Sequence, residues 1–168
     1  MRKSFSDYPA PQVYRVENQA AYFDPVRKKF VFVTPEETVR QRLIPYLLEE
    51  IGVPENFLRV EGKFSRYGLN VKTRADFIVE ARDVKENFVY PVAVIVCKSP
   101  EVALDDNAFR QMFNYAADLG CEFCALTNGE EFFSFYFDGE RDVELAELPT
   151  YAQMIRDKIS LPDSQANS

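Results

Sequence analysis

One stretch in the first half of the chain has hydrophobic residues at the spacing that is typical of an α-helix. An apolar run at residues 30–33 predicts a short strand, and Thr34 and Pro35 after it are typical of a helix N-terminus. Glu37 completes a capping box with Thr34, and apolar residues then recur every four positions. Because Pro45 lies inside this pattern, we expect the helix to kink or to shorten there.

Alternating and β-branched runs predict most of the remaining elements as strands. The segment at residues 92–97 is entirely apolar, which is typical of a central strand covered on both faces. The other predicted elements are strands at residues 56–65, 71–82, 123–127 and 132–137 and helices at residues 106–119 and 151–159. This order of elements predicts an α/β fold with a mixed β-sheet flanked by helices on both faces.

The length and composition are those of one globular domain, with 168 residues of which 46% are hydrophobic. We expect an N-terminal arm at residues 1–20, a single domain at residues 21–159 and a disordered tail at residues 160–168. No apolar run is long enough to span a membrane, which predicts a cytoplasmic protein. The absence of histidine excludes serine–histidine triads and histidine-ligated metals within this chain.

The charge is distributed unevenly along the chain, although the net charge is −7. Residues 1–98 contain 16 Lys and Arg against 13 Asp and Glu, whereas residues 99–168 contain 4 against 14. Residues 59–85 are the most basic part, with 7 cationic against 4 anionic side chains. A polyanion such as DNA is therefore expected to approach the first half, while the simplest alternative is a solvated acidic surface.

A lysine and an aspartate are predicted at the same end of the sheet. Lys98 follows the apolar strand, where an unpaired ammonium is costly, so we expect an acidic partner or a water-filled cleft beside it. If the two strands pair as a hairpin around the loop at residues 83–90, Asp76 lies near Lys98. The two side chains then form either a structural ion pair or part of a functional site.

Gln111 and Tyr115 are four residues apart on the second predicted helix, so their side chains lie next to each other on one helix face. Such a pair is common on the half-buried side of amphipathic helices, and it is equally suited to ordering a neighbouring site. The pattern alone leaves both interpretations open.

The predicted strand at residues 132–137 has the sequence FFSFYF and is unusually aromatic. It is expected either to be covered on both faces or to form an edge through which two copies associate. A homodimer formed through this strand is therefore a hypothesis.

Several short segments occur in an order and spacing that resemble a known family. In chain order they are FDPVRKK at 23–29, TPEETVRQ at 34–41, RAD at 74–76, VCKSP at 96–100, QMFNY at 111–115 and TNG at 127–129. Over residues 20–138, the chain resembles the N-terminal nuclease domain of type I restriction enzyme R subunits. More generally it resembles the PD-(D/E)xK superfamily, in the subgroup with a QxxxY motif.

This resemblance implies a restriction-endonuclease-like fold and a magnesium-dependent phosphodiester hydrolysis. It assigns the ion, Mg²⁺ or Mn²⁺, to the carboxylates of Asp76 and Glu37 and to the carbonyl of Cys97. Lys98 would orient the attacking water or stabilise the phosphate, and Gln111 and Tyr115 would order the site. Its partners would be DNA and the other restriction–modification subunits.

One departure from the family pattern changes the expected activity. Val96 occupies the position where the family has glutamate, and valine supplies neither an oxygen ligand nor a negative charge. Either a carboxylate elsewhere completes the ligand set, or the site is inactive. The candidates are Glu37, Glu50 and Glu61, whereas Glu80 is roughly 13 Å from Asp76 along the strand.

Two functions remain open from the sequence. The first is a DNA-associated nuclease-like domain whose metal site is degenerate, so that hydrolysis is weak or absent. Its cofactor would be Mg²⁺ or Mn²⁺ if the site is competent, and otherwise it would have none. The second is a non-catalytic module that uses the nuclease fold for protein contacts, which the acidic second half of the chain would also suit.

Overall fold

The computed structural model describes residue 5 and residues 8–155, and within them nine strands form two sheets. The strands are β1 (Tyr14–Val16), β2 (Gln19–Asp24), β3 (Lys29–Phe32), β4 (Leu58–Lys63), β5 (Arg74–Asp83), β6 (Phe88–Cys97), β7 (Phe123–Thr127), β8 (Phe132–Phe137) and β9 (Asp142–Leu145). The helices are α1 (Pro35–Pro45) and α2 (Asp106–Leu119). Shorter helical turns are a π-helical turn at Tyr46–Glu50 and 3₁₀ turns at Glu55–Phe57 and Phe64–Tyr67.

The larger sheet has the order β4-β5-β6-β7-β8-β9 and confirms the predicted mixed α/β architecture. Its one parallel pair is β6 with β7, and α2 lies in the connection between these two strands. One apolar cluster packs α1 and its π-helical extension against one face of this sheet. A second cluster packs α2 against the other face, so helices cover both sides as expected.

The smaller sheet, with the order β1-β2-β3, packs against the first half of α1. The hydroxyl groups of Tyr22 and Thr38 lie 2.6 Å apart, and Gln41 Nε2 donates to Asp24 Oδ2 over 2.9 Å. The strand predicted at residues 30–33 is the third strand of this sheet. The sheet therefore sits beside the N-terminal end of α1.

The first predicted helix is shortened at its proline, as expected, and the chain continues in a different helix type. Thr34 caps α1 by accepting a hydrogen bond from the Glu37 N–H, and α1 ends at Pro45. A π-helical turn follows, because proline has no N–H to donate and its ring displaces the carbonyl one turn earlier. The capping box differs from the prediction, because the Glu37 carboxylate binds two arginines.

The prediction of an N-terminal arm outside the core is corrected by the structure, because part of this segment belongs to the core. Phe5 is fully buried, and its ring lies 4.9 Å from that of Tyr46 and 5.4 Å from that of Phe132. The Phe5 N–H also donates to the Gly129 carbonyl over 2.8 Å. Burying the large apolar surface of an aromatic ring stabilises this position in the core, although the neighbouring residues in the sequence are polar. The predicted tail at residues 160–168 lies outside the described residues.

The aromatic strand at residues 132–137 is covered and does not form an edge of the sheet. It is β8, hydrogen-bonded to β7 on one side and to β9 on the other. The edge strand is the short β9, which exposes Asp142 and Glu144. Charged residues on a short edge strand oppose pairing with another chain. The residues that the structure describes include no helix suited to spanning a membrane.

Candidate functional site

The predicted aspartate and lysine lie at the same end of the larger sheet. In the β5–β6 hairpin Phe77 is paired with Ile95, so the next residues along the two strands, Asp76 and Val96, are level with each other. The backbone N–H of Cys97 donates to Asp76 Oδ2 over 2.7 Å. Lys98 follows directly after β6, as the hairpin prediction required.

Arg40 on α1 occupies the centre of this end of the sheet and contacts four carboxylates. Its Nε and Nη2 atoms lie 3.1 Å and 2.7 Å from Asp76 Oδ1, and Nη1 lies 2.6 Å from Glu37 Oε1. Its Nη2 atom is also 3.1 Å from Glu36 Oε1 and 3.2 Å from Glu61 Oε1. We call these five residues the Arg40 cluster.

Burial makes the interactions of the Arg40 cluster strong. The side chain of Arg40 is 8% exposed, that of Glu37 is 9% exposed and that of Asp76 is 12% exposed. Burial alone would lower the pKa of Arg40, but the charge of Asp76 and its hydrogen bonds outweigh this effect and raise the pKa. The guanidinium therefore stays charged and is the resident cation among these carboxylates.

A second layer of side chains fixes Glu37 in place. Arg27 Nη2 donates to Glu37 Oε2 over 2.9 Å, and Gln41 Nε2 donates to the same oxygen over 3.1 Å. Asp24 is fully buried and holds both donors, because it accepts hydrogen bonds from Arg27 and Gln41. Burial opposes ionisation of Asp24, but these hydrogen bonds outweigh it and lower its pKa.

The predicted polar residues of α2 are adjacent to Lys98. Lys98 Nζ donates to Gln111 Oε1 over 2.8 Å, and Gln111 Nε2 donates to the Tyr115 hydroxyl over 3.2 Å. An ion pair between Lys98 and Asp76 was one of the two expectations, and it is wrong. Within the described residues, Arg40 is the salt-bridge partner of the Asp76 carboxylate. The ammonium instead has a neutral amide as its partner.

The charges of this site perturb two neighbouring groups. Burial and then the negative charge of Asp76 raise the pKa of Glu36, while Arg40 and Lys98 act in the opposite direction. Burial and the charge of Asp76 also raise the pKa of Tyr115. The charged groups of α1, β5, the end of β6 and α2 are therefore close enough to influence one another.

Val96 lies on the side of β6 that faces α2. It is 2% exposed and belongs to the apolar cluster that includes Val94 and Met112. Because side chains alternate along a strand, position 96 projects on the same side as Lys98. The neighbouring Cys97 side chain belongs to the opposite cluster, and burial followed by the charge of Asp76 raises its thiol pKa.

The candidate replacement carboxylates are in three different places. Glu61 reaches the Arg40 cluster from β4, in a left-handed backbone conformation with φ 56°. Glu80 lies elsewhere, fully buried and paired with Arg59 and Arg66. Glu50 ends the π-helical turn and lines a separate cavity.

Arg40 is the central residue of this cluster, and the sequence analysis missed it. The available signal was its spacing from Glu36 and Glu37, four and three positions earlier on a predicted helix, which predicts side-chain pairs. That spacing could not reveal the contact with Asp76, which is 36 positions away.

Comparison with known proteins places the chain in a family. Residues 35–149 match the family described as type I restriction enzyme R protein N terminus (HSDR_N). The chain belongs to this family. The match covers both predicted site segments on β5 and β6 and the whole of α2, and it confirms the predicted relationship.

A solved structure shares the fold of this R-protein N-terminal domain. It is the fragment structure described as an HsdR subunit of a type I restriction enzyme from Vibrio vulnificus YJ016, with a TM-score of 0.52 and 20% sequence identity. The alignment covers 72% of this chain and 24% of that chain, so this chain spans about a quarter of its length. The restriction-endonuclease-like fold is thus confirmed. A search of curated proteins finds no match.

Proposed function

We propose that this R-protein N-terminal domain associates with DNA and that its nuclease site is degenerate, so that phosphodiester hydrolysis is weak or absent. The observation that carries the proposal is Val96, which is level with Asp76 at the end of the hairpin. The resemblance to PD-(D/E)xK nucleases assigns a metal-binding glutamate to this position. A buried valine removes that ligand and its charge.

The remaining donors do not fit Mg²⁺ or Mn²⁺. These ions need several hard oxygen ligands with free lone pairs, usually including one or two carboxylates. Asp76 Oδ1 accepts two hydrogen bonds from Arg40, and Asp76 Oδ2 accepts one from the Cys97 N–H. Glu37 is held by Arg40 and Arg27. A guanidinium at this place offsets part of the charge of the carboxylates and opposes the approach of a second cation.

The groups that remain are suited to binding a phosphate rather than to cleaving its ester. Lys98 presents an ammonium whose partner is the neutral side chain of Gln111, so its charge is not cancelled by that contact. An ammonium of this kind is a point-charge partner for a phosphate oxygen. We therefore assign Lys98, Gln111 and Tyr115 to DNA contact and to positioning.

The edge of the sheet next to this site offers further cations. Lys63 on β4 and Arg74 on β5 are exposed and lie directly opposite each other. Like charges in this arrangement destabilise a sheet unless an anion lies between them. Arg59 and Arg66, which also belong to the predicted basic region, are instead paired with Glu80.

The proposal extends to the partners. The Vibrio vulnificus relative is described as a subunit, and we infer that this chain likewise acts beside other restriction–modification subunits. Association with DNA also agrees with the expected cytoplasmic location. A module that contacts only protein is the competing function, and it predicts no affinity for DNA.

Duplex DNA binding tests the proposal. Fluorescence anisotropy with a labelled 20-base-pair duplex is expected to show binding that weakens with salt and is the same in EDTA and in Mn²⁺. The double variant Lys63→Gln/Arg74→Gln is expected to bind about 10-fold more weakly, because two phosphate contacts are lost. Lys85→Gln, an exposed lysine in the β5–β6 turn, is the matched control and should bind normally.

Two results would argue against this function. Absence of duplex binding by the unmodified protein would favour the protein-contact module. Binding that Mn²⁺ strengthens and that Asp76→Asn makes insensitive to Mn²⁺ would indicate a competent metal site.

A further inference from the structure

One face of the smaller sheet is aromatic and open to solvent. Tyr14, Phe23, Phe30 and Phe32 are 40%, 43%, 47% and 46% exposed, respectively. We call these four residues the aromatic face. Large contiguous apolar patches are uncommon on the surfaces of soluble proteins and usually mark a binding site.

Strand register brings the four rings to the same side. Phe23 on β2 is paired with Phe30 on β3, and Ala21 is paired with Tyr14 on one side and Phe32 on the other. Because side chains alternate along a strand, residues 21 and 23 of β2 and their cross-strand partners share one face. The opposite face of the same sheet is the one that packs against α1.

The rings support each other in fixed positions. The Phe30 ring lies 5.4 Å from the Tyr14 ring and 5.2 Å from the Phe23 ring, with interplanar angles of 73° and 72°. Ala21 is fully buried beneath them. Edge-to-face packing of this kind holds the rings in place before any ligand binds, which reduces the entropy lost on binding.

The segment that carries the aromatic face has an excess of cationic residues in an otherwise acidic protein. Residues 8–33 contain 4 Lys and Arg against 2 Asp and Glu, whereas residues 34–155 contain 12 against 22. Asp24 is fully buried and paired with Arg27, and Lys28 pairs with Glu55. Arg15 and Lys29 are exposed on the two outer strands of this sheet, β1 and β3, at positions that alternate with the rings.

We propose that the aromatic face is a stacking platform for single-stranded DNA. Unpaired bases stack on exposed aromatic rings, and cations at the edge of the platform contact the phosphates. The four large side chains of the face are all aromatic, and flat bases stack on such rings without a sequence preference. The excess positive charge of residues 8–33 complements a polyanion.

Anisotropy with a labelled 15-nucleotide oligothymidine tests this assignment, with EDTA present throughout. The double variant Phe23→Leu/Phe30→Leu keeps the face apolar but removes two rings, and it is expected to bind about 10-fold or more weakly. The loss of base stacking on two rings accounts for such a change. Phe137→Leu, at a 41% exposed phenylalanine on β8, is the matched control and should bind like the unmodified protein.

Three outcomes would overturn the assignment. They are no binding of the oligonucleotide by the unmodified protein, equal binding by the double leucine variant, and a dimer in sedimentation that the double leucine variant breaks. The two proposals can be separated because duplex DNA presents no unpaired bases, so Phe23→Leu/Phe30→Leu should lose oligothymidine binding and keep the duplex binding expected under the proposed function. A failure of one proposal can therefore be told from a failure of the other.

Discussion

Replacing Arg40 by alanine is expected to destabilise the fold by about 3–5 kcal/mol, the typical cost of removing one partner from a buried ion pair. The side chains of Glu37 and Asp76 are 9% and 12% exposed, so neither can gain full hydration when the guanidinium is lost. The negative charges would then repel each other across the end of the sheet. Urea unfolding followed by circular dichroism measures the free energy of unfolding.

Arg82→Ala is the matched control for this prediction. Arg82 is an exposed arginine near the end of β5, with a 3.3 Å contact to Asn87. Its removal is expected to change the free energy of unfolding by less than about 0.5 kcal/mol. The role given to Arg40 would be wrong if Arg40→Ala cost no more than Arg82→Ala. Adding Asp76→Asn to Arg40→Ala should recover part of the lost stability, because it removes one uncompensated charge.

Glu80→Ala is expected to have the second largest effect and to lower the free energy of unfolding by about 2–4 kcal/mol. This carboxylate is fully buried and accepts hydrogen bonds from Arg59, Arg66 and Tyr67. The loss should be smaller than at Arg40, because the side chains of the two arginines are 37% and 43% exposed and can be hydrated when they are released. Glu86→Ala, at an exposed glutamate in the β5–β6 turn, is the control.

Glu80 also makes the stability depend on pH. Burial opposes its ionisation, but the hydrogen bonds from Arg66, Tyr67 and Arg59 outweigh burial and lower its pKa in the folded state. Its contribution is therefore complete above the unfolded pKa of about 4.3 and is lost as the pH falls through the lower folded value. In Glu80→Gln the fall of stability with acid should be shallower. An unchanged acid dependence would contradict the assignment.

Local patterns in the sequence predict the elements near the site well. The signals at Thr34 and Pro35 predict the start of α1, and Pro45 marks its end, because capping and the missing N–H act within one turn. The apolar run at residues 92–97 predicts the central strand β6. Hairpin pairing of β5 with β6 then brings Asp76 to the same end of the sheet as Lys98.

Contacts between distant segments were not predictable in the same way. The position of Arg40 over Asp76 depends on how α1 crosses the sheet, and no periodicity in the sequence reports that crossing. The burial of Phe5 likewise depends on a space between Tyr46 and Phe132 that exists only in the folded protein. The pairing of β8 with β9 was also not predictable, because β9 is a short, acidic strand whose local sequence pattern is weak.

Plasmid nicking tests the central claim most directly. Supercoiled plasmid is incubated with the unmodified protein and with Asp76→Ala, in Mg²⁺ and in Mn²⁺, and the open-circle fraction is measured over time. We predict that both proteins nick the plasmid at or only slightly above the rate of the buffer control, because in the proposed function Val96 replaces a metal ligand and Arg40 opposes the approach of the ion. Metal-dependent nicking by the unmodified protein that is well above this rate and disappears in Asp76→Ala would contradict this account.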